Sequence, residues 1–311
     1  MRSEAARVVG ALVLAGLALL GAAATRPSTG LFKRGAHEGR VYRLYLPRAV
    51  VEAPREPPTL PLVVALHGCW QTPEDFAAGT RLNEAAEPRG LLVVYPAQSH
   101  RDNPNRCWNW FEPAAADRGE VAEILALVRH VQREQRVARD RVVVLGFSAG
   151  GFMAVNLACA APDVIRGVGV MAGGPYRCGV GLIAGLQCMR GQHLDGEAAA
   201  RACLGSRGPG ARPVRASLWH GADDTVVSPA NLETLGRMFV LVNGGFAATA
   251  ERGDGALHNV YRDAGGRAVV ETWLVSGMGH AWSGGDPRGS HTYPPGPPAT
   301  GRMLDFLLAP P

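Results

Sequence analysis

The sequence predicts an α/β fold with a mostly parallel, doubly wound sheet, and three observations predict it. Short, continuous apolar runs recur along the chain, segments with helical spacing separate them, and 311 residues that are 47% hydrophobic suffice to bury one large core. Continuous apolar runs are what strands buried on both faces look like. Strand alternating with helix implies βαβ units, an open sheet, and ligands at the carboxyl ends of the strands.

The chain opens with Arg2 and Arg7, an uncharged run from Val8 to Leu20, and Ala22-Ala23-Ala24. That is the charged, apolar, small-residue order of a secretory signal, so residues 1–24 are expected to be cleaved and residues 25–311 to form one domain. The apolar run falls short of the roughly 20 residues that span a bilayer, so no stable membrane anchor is expected after cleavage. The mature protein is then extracellular or periplasmic.

Arg40 to Leu46 reads as an early strand, and Val50 to Thr59, rich in Pro and Glu, as a surface turn. Leu60 to Leu66, Leu91 to Tyr95, Arg141 to Leu145, Val168 to Met171 and Ala216 to Trp219 are the continuous apolar runs. Between them Val121, Ile124, Leu125, Val128 and Val131 recur at helical spacing, and Ala149 to Ala161 is a small-and-apolar stretch able to pack on a sheet. Gly173 to Pro213, with three cysteines and many glycines, breaks the rhythm and reads as an insertion over the sheet near the active site. Asp286 to Pro298 reads as an ordered Pro-rich loop before a last helix, Thr300 to Leu308.

Six cysteines, all beyond residue 24, suggest disulfides in an exported chain, with fifteen full pairings open. They form no close C-x-x-C pair, and H-E-x-x-H is absent, which disfavours zinc. The net charge of +5 comes from one lysine, Lys33, and scattered arginines rather than a basic run interleaved with aromatics, so no nucleic-acid partner is expected.

The chemistry centres on Gly146-Phe147-Ser148-Ala149-Gly150. A bare G-x-S-x-G also describes a glycine-rich turn, but here a strand ends just before Gly146 and a helix opens at Ala149. That context puts Ser148 Oγ on a sharp strand-to-helix turn as a nucleophile. A serine hydroxyl needs a histidine to take its proton and a buried carboxylate to orient that histidine, in the chain order Ser, Asp or Glu, His. Asp223 and Asp224 follow the strand ending at Trp219, and His280 lies in a glycine-flanked loop after Val269 to Val275. Either aspartate satisfies this reading. His37, His100, His130, His193, His258 and His291 read as surface residues, His220 as structural, and His67 as a buried hydrogen-bonding residue. Two backbone N–H groups are needed for the oxyanion, and Cys69 and Ala149 occupy the places that supply them.

The segments LHGCWQ at 66–71, CWNWF at 107–111, GFSAGG at 146–151, HGADDTVV at 220–227 and GMGHAWSGG at 277–285 together resemble the polyhydroxybutyrate depolymerase family of esterases. The resemblance runs from about Arg40 to Leu308 and extends to feruloyl and acetylxylan esterases. It implies an α/β-hydrolase fold and secreted carboxylic-ester hydrolysis through an acyl-enzyme, without cofactor or metal. Carried over, it makes Ser148 the nucleophile, Asp224 the acid and His280 the base, and it implies a Cys69–Cys107 disulfide. Trp108, Trp110 and Trp282 are then expected to line an ester-binding cleft. Extracellular polymer-degrading members typically carry a further polyester-adsorbing domain, whereas this sequence stops shortly after its last predicted helix. Hydroxyalkanoate oligomers or polyester, short acyl esters, and feruloyl or acetyl esters on plant polysaccharide are the expected substrates. The rival expectations are a non-catalytic carbohydrate- or surface-binding protein that keeps the fold, and a peptidase on the same scaffold.

Overall fold

The computed structural model describes residues 30–52, 59–112, 118–135, 137–208, 210–244 and 247–310. The proposed signal segment, residues 1–24, lies outside them. Ten strands form one sheet: β1 (Leu31–His37), β2 (Arg40–Leu46), β3 (Leu60–Leu66), β4 (Leu92–Pro96), β5 (Val137–Phe147), β6 (Ile165–Met171), β7 (Arg215–Gly221), β8 (Ala247–Gly253), β9 (Ala256–Arg262) and β10 (Ala268–Val275). Their spatial order is β1-β2-β4-β3-β5-β6-β7-β10-β9-β8. The inner strands β4, β3, β5, β6, β7 and β10 run parallel. Antiparallel strands finish both edges: β1 and β2 on one side, β9 and β8 on the other.

Five of the six parallel strands coincide with the continuous apolar runs because both of their faces are covered, and β10 differs in burying Glu271 and Thr272 within its run. Alternate residues enter two cores: Leu62, Val64, Val142 and Val144 face one, whereas Val63, Ala65, Val143 and Leu145 face the other. On the first face lie α4 (Glu120–Gln135), α5 (Ala149–Ala160), α7 (Gly196–Arg207) and α8 (Ala230–Val242). On the second lie α2 (Pro73–Thr80), α3 (Leu82–Ala86) and α9 (Ala299–Leu307), which supply Phe76, Leu82, Met303 and Leu304. Helix α5 is apolar all round because it is buried along almost its whole length.

Two further helices among the described residues are α1 (Arg48–Glu52) and α6 (Leu182–Met189), the latter placing Cys188 in the first core. The expected surface turn at Val50 thus begins inside a short helix, and residues 53–58 lie outside the described ones. The cysteine-rich region contains α6 and α7, and two disulfides fix it: Cys178–Cys188 closes across α6, and Cys159–Cys203 ties α7 to α5. Cys69–Cys107 is the third. Two two-residue strands, β11 (Trp282–Ser283) and β12 (Thr292–Tyr293), pair within the loop after β10.

Candidate active site

Three loops at the carboxyl ends of parallel strands meet at one point, as the fold requires of a ligand site. Ser148 follows β5, the 222–229 loop follows β7, and His280 follows β10. Ser148 has φ 54° and ψ −123°, a conformation that side-chain-bearing residues rarely adopt and that lifts Oγ off the strand axis. The flanking glycines are needed for space rather than for φ. A Cβ on Gly146 would sit 2.1 Å from the Gly150 carbonyl oxygen, and one on Gly150 would sit 2.2 Å from that of Leu66.

His280 Nε2 lies 2.8 Å from Ser148 Oγ, and His280 Nδ1 lies 2.7 Å from Asp224 Oδ2. With Nδ1 carrying the proton toward the carboxylate, Nε2 is free to accept from the serine hydroxyl. The Asp224 side chain is fully buried, while His280 keeps a narrow opening to solvent. Burial by itself raises the Asp224 pKa, but hydrogen bonds from His220, His280 and the Val227 amide outweigh it and hold the carboxyl well below the usual range. Its Oδ1 accepts from the Val226 and Val227 amides, both at 2.9 Å. Asp223 is exposed and contributes only its backbone, donating to the Met278 carbonyl at 3.0 Å. That bond, with Ala222 N–H to Val275 O at 2.8 Å, zips the acid loop to the histidine loop.

The loop after β3 is wired so that one amide remains for the site. Gly68 N–H donates to Gln71 Oε1 at 2.9 Å, and the His67 carbonyl accepts from Trp108 Nε1 at 3.0 Å. The Gly68 carbonyl meets His67 Nδ1 at 2.8 Å, and the Gln98 amide donates to His67 Nε2 at 3.1 Å. His67 is therefore neutral with its proton on Nδ1, and its burial pushes the pKa down to about 4. Trp70 N–H donates to Asn105 O. Among the described residues the Cys69 amide has no such partner, and the Ala149 amide, in the first turn of α5, has no intrahelical one. Ala149 directly follows Ser148 in the chain, and the loop after β3 packs against the same turn, since a Cβ on Gly150 would sit 2.6 Å from His67 O.

The tryptophan expectation requires correction. Trp108 and Trp282 are fully buried, with their indole N–H groups spent on His67 O and Thr300 Oγ1, and Trp110 is buried in a stack on Phe152. All three back the loops rather than line a cleft, because large apolar rings behind a site are where its loops gain their rigidity. Among the described residues the exposed tryptophan is Trp70, 60% accessible and held at φ 67°. Its place directly after Cys69 is the sequence signal that would have found it. His291, expected as a surface residue, is exposed but stands at the site: its ring lies 6.4 Å from that of His280 and 5.8 Å from that of Phe147.

Among the described residues no group of three or more His, Cys, Asp or Glu side chains is placed to hold a metal ion. No helix among them is long and apolar enough to cross a membrane.

The strand order and the serine-histidine-aspartate chain at the sheet's carboxyl edge define the class as an α/β-hydrolase. Within that class, the chain belongs to the Esterase PHB depolymerase family, whose pattern matches residues 40–261. It is 37% identical over 234 residues to poly(3-hydroxyalkanoate) depolymerase C of Paucimonas lemoignei, covering 72% of this chain and 55% of that protein. It is 29% identical over 182 residues to feruloyl esterase B of Thermothelomyces thermophilus, covering 54% of this chain and 60% of that protein. The chain thus spans little more than half the length of these relatives. Among solved structures, an acetyl xylan esterase from Aspergillus awamori shares the fold at a TM-score of 0.70 with 19% identity, covering 81% of this chain and 94% of that one.

Proposed function

We propose that this protein is an exported serine esterase that hydrolyses carboxylic esters through an acyl-enzyme on Ser148. The observation that carries the reading is the unbroken hydrogen-bond chain from Asp224 through His280 to Ser148.

In the first half-reaction Ser148 Oγ attacks the ester carbonyl carbon while its proton passes to His280 Nε2. The carbonyl oxygen becomes an oxyanion held by the Cys69 and Ala149 amides, which are aimed before charge develops. The carbon–alkoxide bond then breaks, and the leaving alcohol takes the proton from His280. In the second half, water gives a proton to His280 and adds to the acyl carbon; collapse returns the proton to Ser148 Oγ and frees the carboxylic acid. Asp224 keeps His280 in the productive tautomer and stabilises the imidazolium that forms twice per cycle. No step needs a cofactor.

The relatives support two substrate classes, hydroxyalkanoate oligomers or polyester and feruloyl or acetyl esters of plant polysaccharide. The exposed Trp70 supports an ester with an apolar or ring-bearing portion. Export rests on the pattern of residues 1–24, with cleavage leaving a single domain from residue 25, and three disulfides fit an oxidising compartment. Labelling by a fluorophosphonate probe tests the reading directly. Wild type should label and Ser148→Ala should not, and turnover should favour esters over matched amides. A wild type that neither labels nor hydrolyses any ester in a panel of hydroxybutyrate oligomers, acetylated xylan and feruloyl esters would leave only a binding role for the fold.

A further inference from the structure

The motif at residues 66–71 ends in a glutamine that the proposed mechanism leaves unused. Gln71 is 3% exposed, and every polar atom of its side chain is committed. Its Oε1 accepts from the Gly68 amide, one peptide before the Cys69 N–H. Its Nε2 donates to Asp75 Oδ2 at 2.9 Å and reaches the Ser290 carbonyl at 3.3 Å and the Ser290 hydroxyl at 3.2 Å. Asp75 completes the ring, since Ser290 N–H donates to its Oδ1 at 2.9 Å and Ser290 Oγ to its Oδ2 at 2.5 Å.

Ser290 leads into the residues that back the histidine. The next residue, His291, accepts at its carbonyl from Trp282 N–H at 2.7 Å, and Trp282 lies two positions beyond His280. One side chain therefore bridges the loop carrying an oxyanion donor and the segment buttressing the base, across 219 residues of sequence. Those two loops spring from different strands, β3 and β10, which are separated in the sheet by β5, β6 and β7. The sheet alone does not set their spacing to the fraction of an ångström that preorganised donors require.

We propose that Gln71 is a positioning residue for the esterase reaction, clamping the Cys69 amide and the His280 loop into one rigid frame around Ser148. It rests on the function proposed above and touches no substrate itself. A structural role alone would lower stability; a positioning role lowers transition-state stabilisation while ground-state binding is kept.

The test uses p-nitrophenyl butyrate as substrate and phenylboronic acid as a probe that forms a tetrahedral adduct on serine. Gln71→Ala should lower kcat about 10- to 100-fold with KM within about threefold, and weaken the boronate by a factor that tracks kcat. Gln71→Glu keeps the acceptor for Gly68 but sets two carboxylates face to face, and it should lose activity similarly. Adding Asp75→Asn returns a donor opposite the introduced carboxylate and should recover at least tenfold of that loss, an outcome that also decides the matter if Gln71→Ala fails to fold. Asn243→Ala, which strips buried hydrogen bonds to Val214 far from the site, should lose stability with kcat unchanged. A Gln71→Ala enzyme with wild-type kcat, or a double variant no better than Gln71→Glu, overturns the inference. A wild type without Ser148-dependent turnover overturns instead the function on which it rests.

Discussion

His220 and His280 address the same oxygen of Asp224: Nε2 of His220 lies 3.3 Å from Oδ2, and Nδ1 of His280 lies 2.7 Å from it. His220 Nε2 also meets the Val227 carbonyl at 2.9 Å, which places its proton on that nitrogen. The carboxylate, itself fully buried, is thus held by two imidazoles and two amides.

From this follows the sharpest contrast between neighbouring residues. Asp224→Asn should lower kcat by about 10⁴, because the amide no longer enforces the Nδ1–H tautomer of His280. Asp223→Asn, a change in an exposed side chain, should leave kcat within about threefold. Steady-state kinetics on one short ester checks both, and the reverse pattern would move the acid role to Asp223.

His67 makes stability depend on pH. Its folded pKa of about 4 lies below the ordinary value of 6.5, so the unfolded chain takes up the proton first as the solution is acidified. The contribution is fully present above pH 6.5 and is lost on the way down to pH 4, amounting to about 3 kcal/mol. Urea midpoints between about pH 7 and about pH 4.5 should fall more steeply in wild type than in His67→Gln. Parallel slopes would show that His67 does not govern the loss.

The Cys69–Cys107 bond closes 38 residues and joins the loop after β3, which carries the proposed oxyanion donor, to the segment 107–111. The carbonyl of Cys107 accepts from Gln98, and the Asn109 amide donates to the buried Glu120, so that segment is independently anchored in the core. Replacing both cysteines by serine should cost about 4 kcal/mol by the chain-entropy estimate and, at a temperature where the protein stays folded, lower kcat more than it raises KM. Thermal unfolding and kinetics on the double variant check the two parts separately.

Trp70 combines exposure with backbone strain. A left-handed φ costs a bulky residue about 1–3 kcal/mol, and here Asn105 O, Arg106 and the adjacent disulfide hold the conformation. Trp70→Gly should therefore leave the melting temperature unchanged or raised. It should also raise KM about fivefold to tenfold for bulky apolar esters, while acetate esters are little affected. Equal KM values across the series would remove Trp70 from the substrate path.

Most inner strands were legible because burial on both faces leaves an unbroken apolar run, and β2 was read at its own bounds, Arg40–Leu46, whereas β1, β8 and β9 were not. β1 reads LFKRGAH, and β8 and β9 are similarly mixed, since an edge strand half open to water carries no such run. The serine turn was legible for a related reason: its requirement is local, a strand, two glycines without room for a Cβ, and a helix, all within a few residues. The tryptophans near the motifs were misassigned because nothing local distinguishes a ring that lines a cleft from one that supports it.

The amino-acid order alone thus dictated the sheet's centre, the elbow at Ser148 and the chain order of serine, acid and histidine, because each is written in periodicity or close spacing. Folding in three dimensions was needed to show that Asp224 rather than Asp223 meets His280, and that Cys159 pairs with Cys203 and Cys178 with Cys188. It was needed also to show that Trp70 faces solvent while the other five tryptophans do not, and that Gln71 reaches Ser290. Each of these depends on where a side chain lands after strands distant in sequence are laid side by side, and no local pattern encodes that distance.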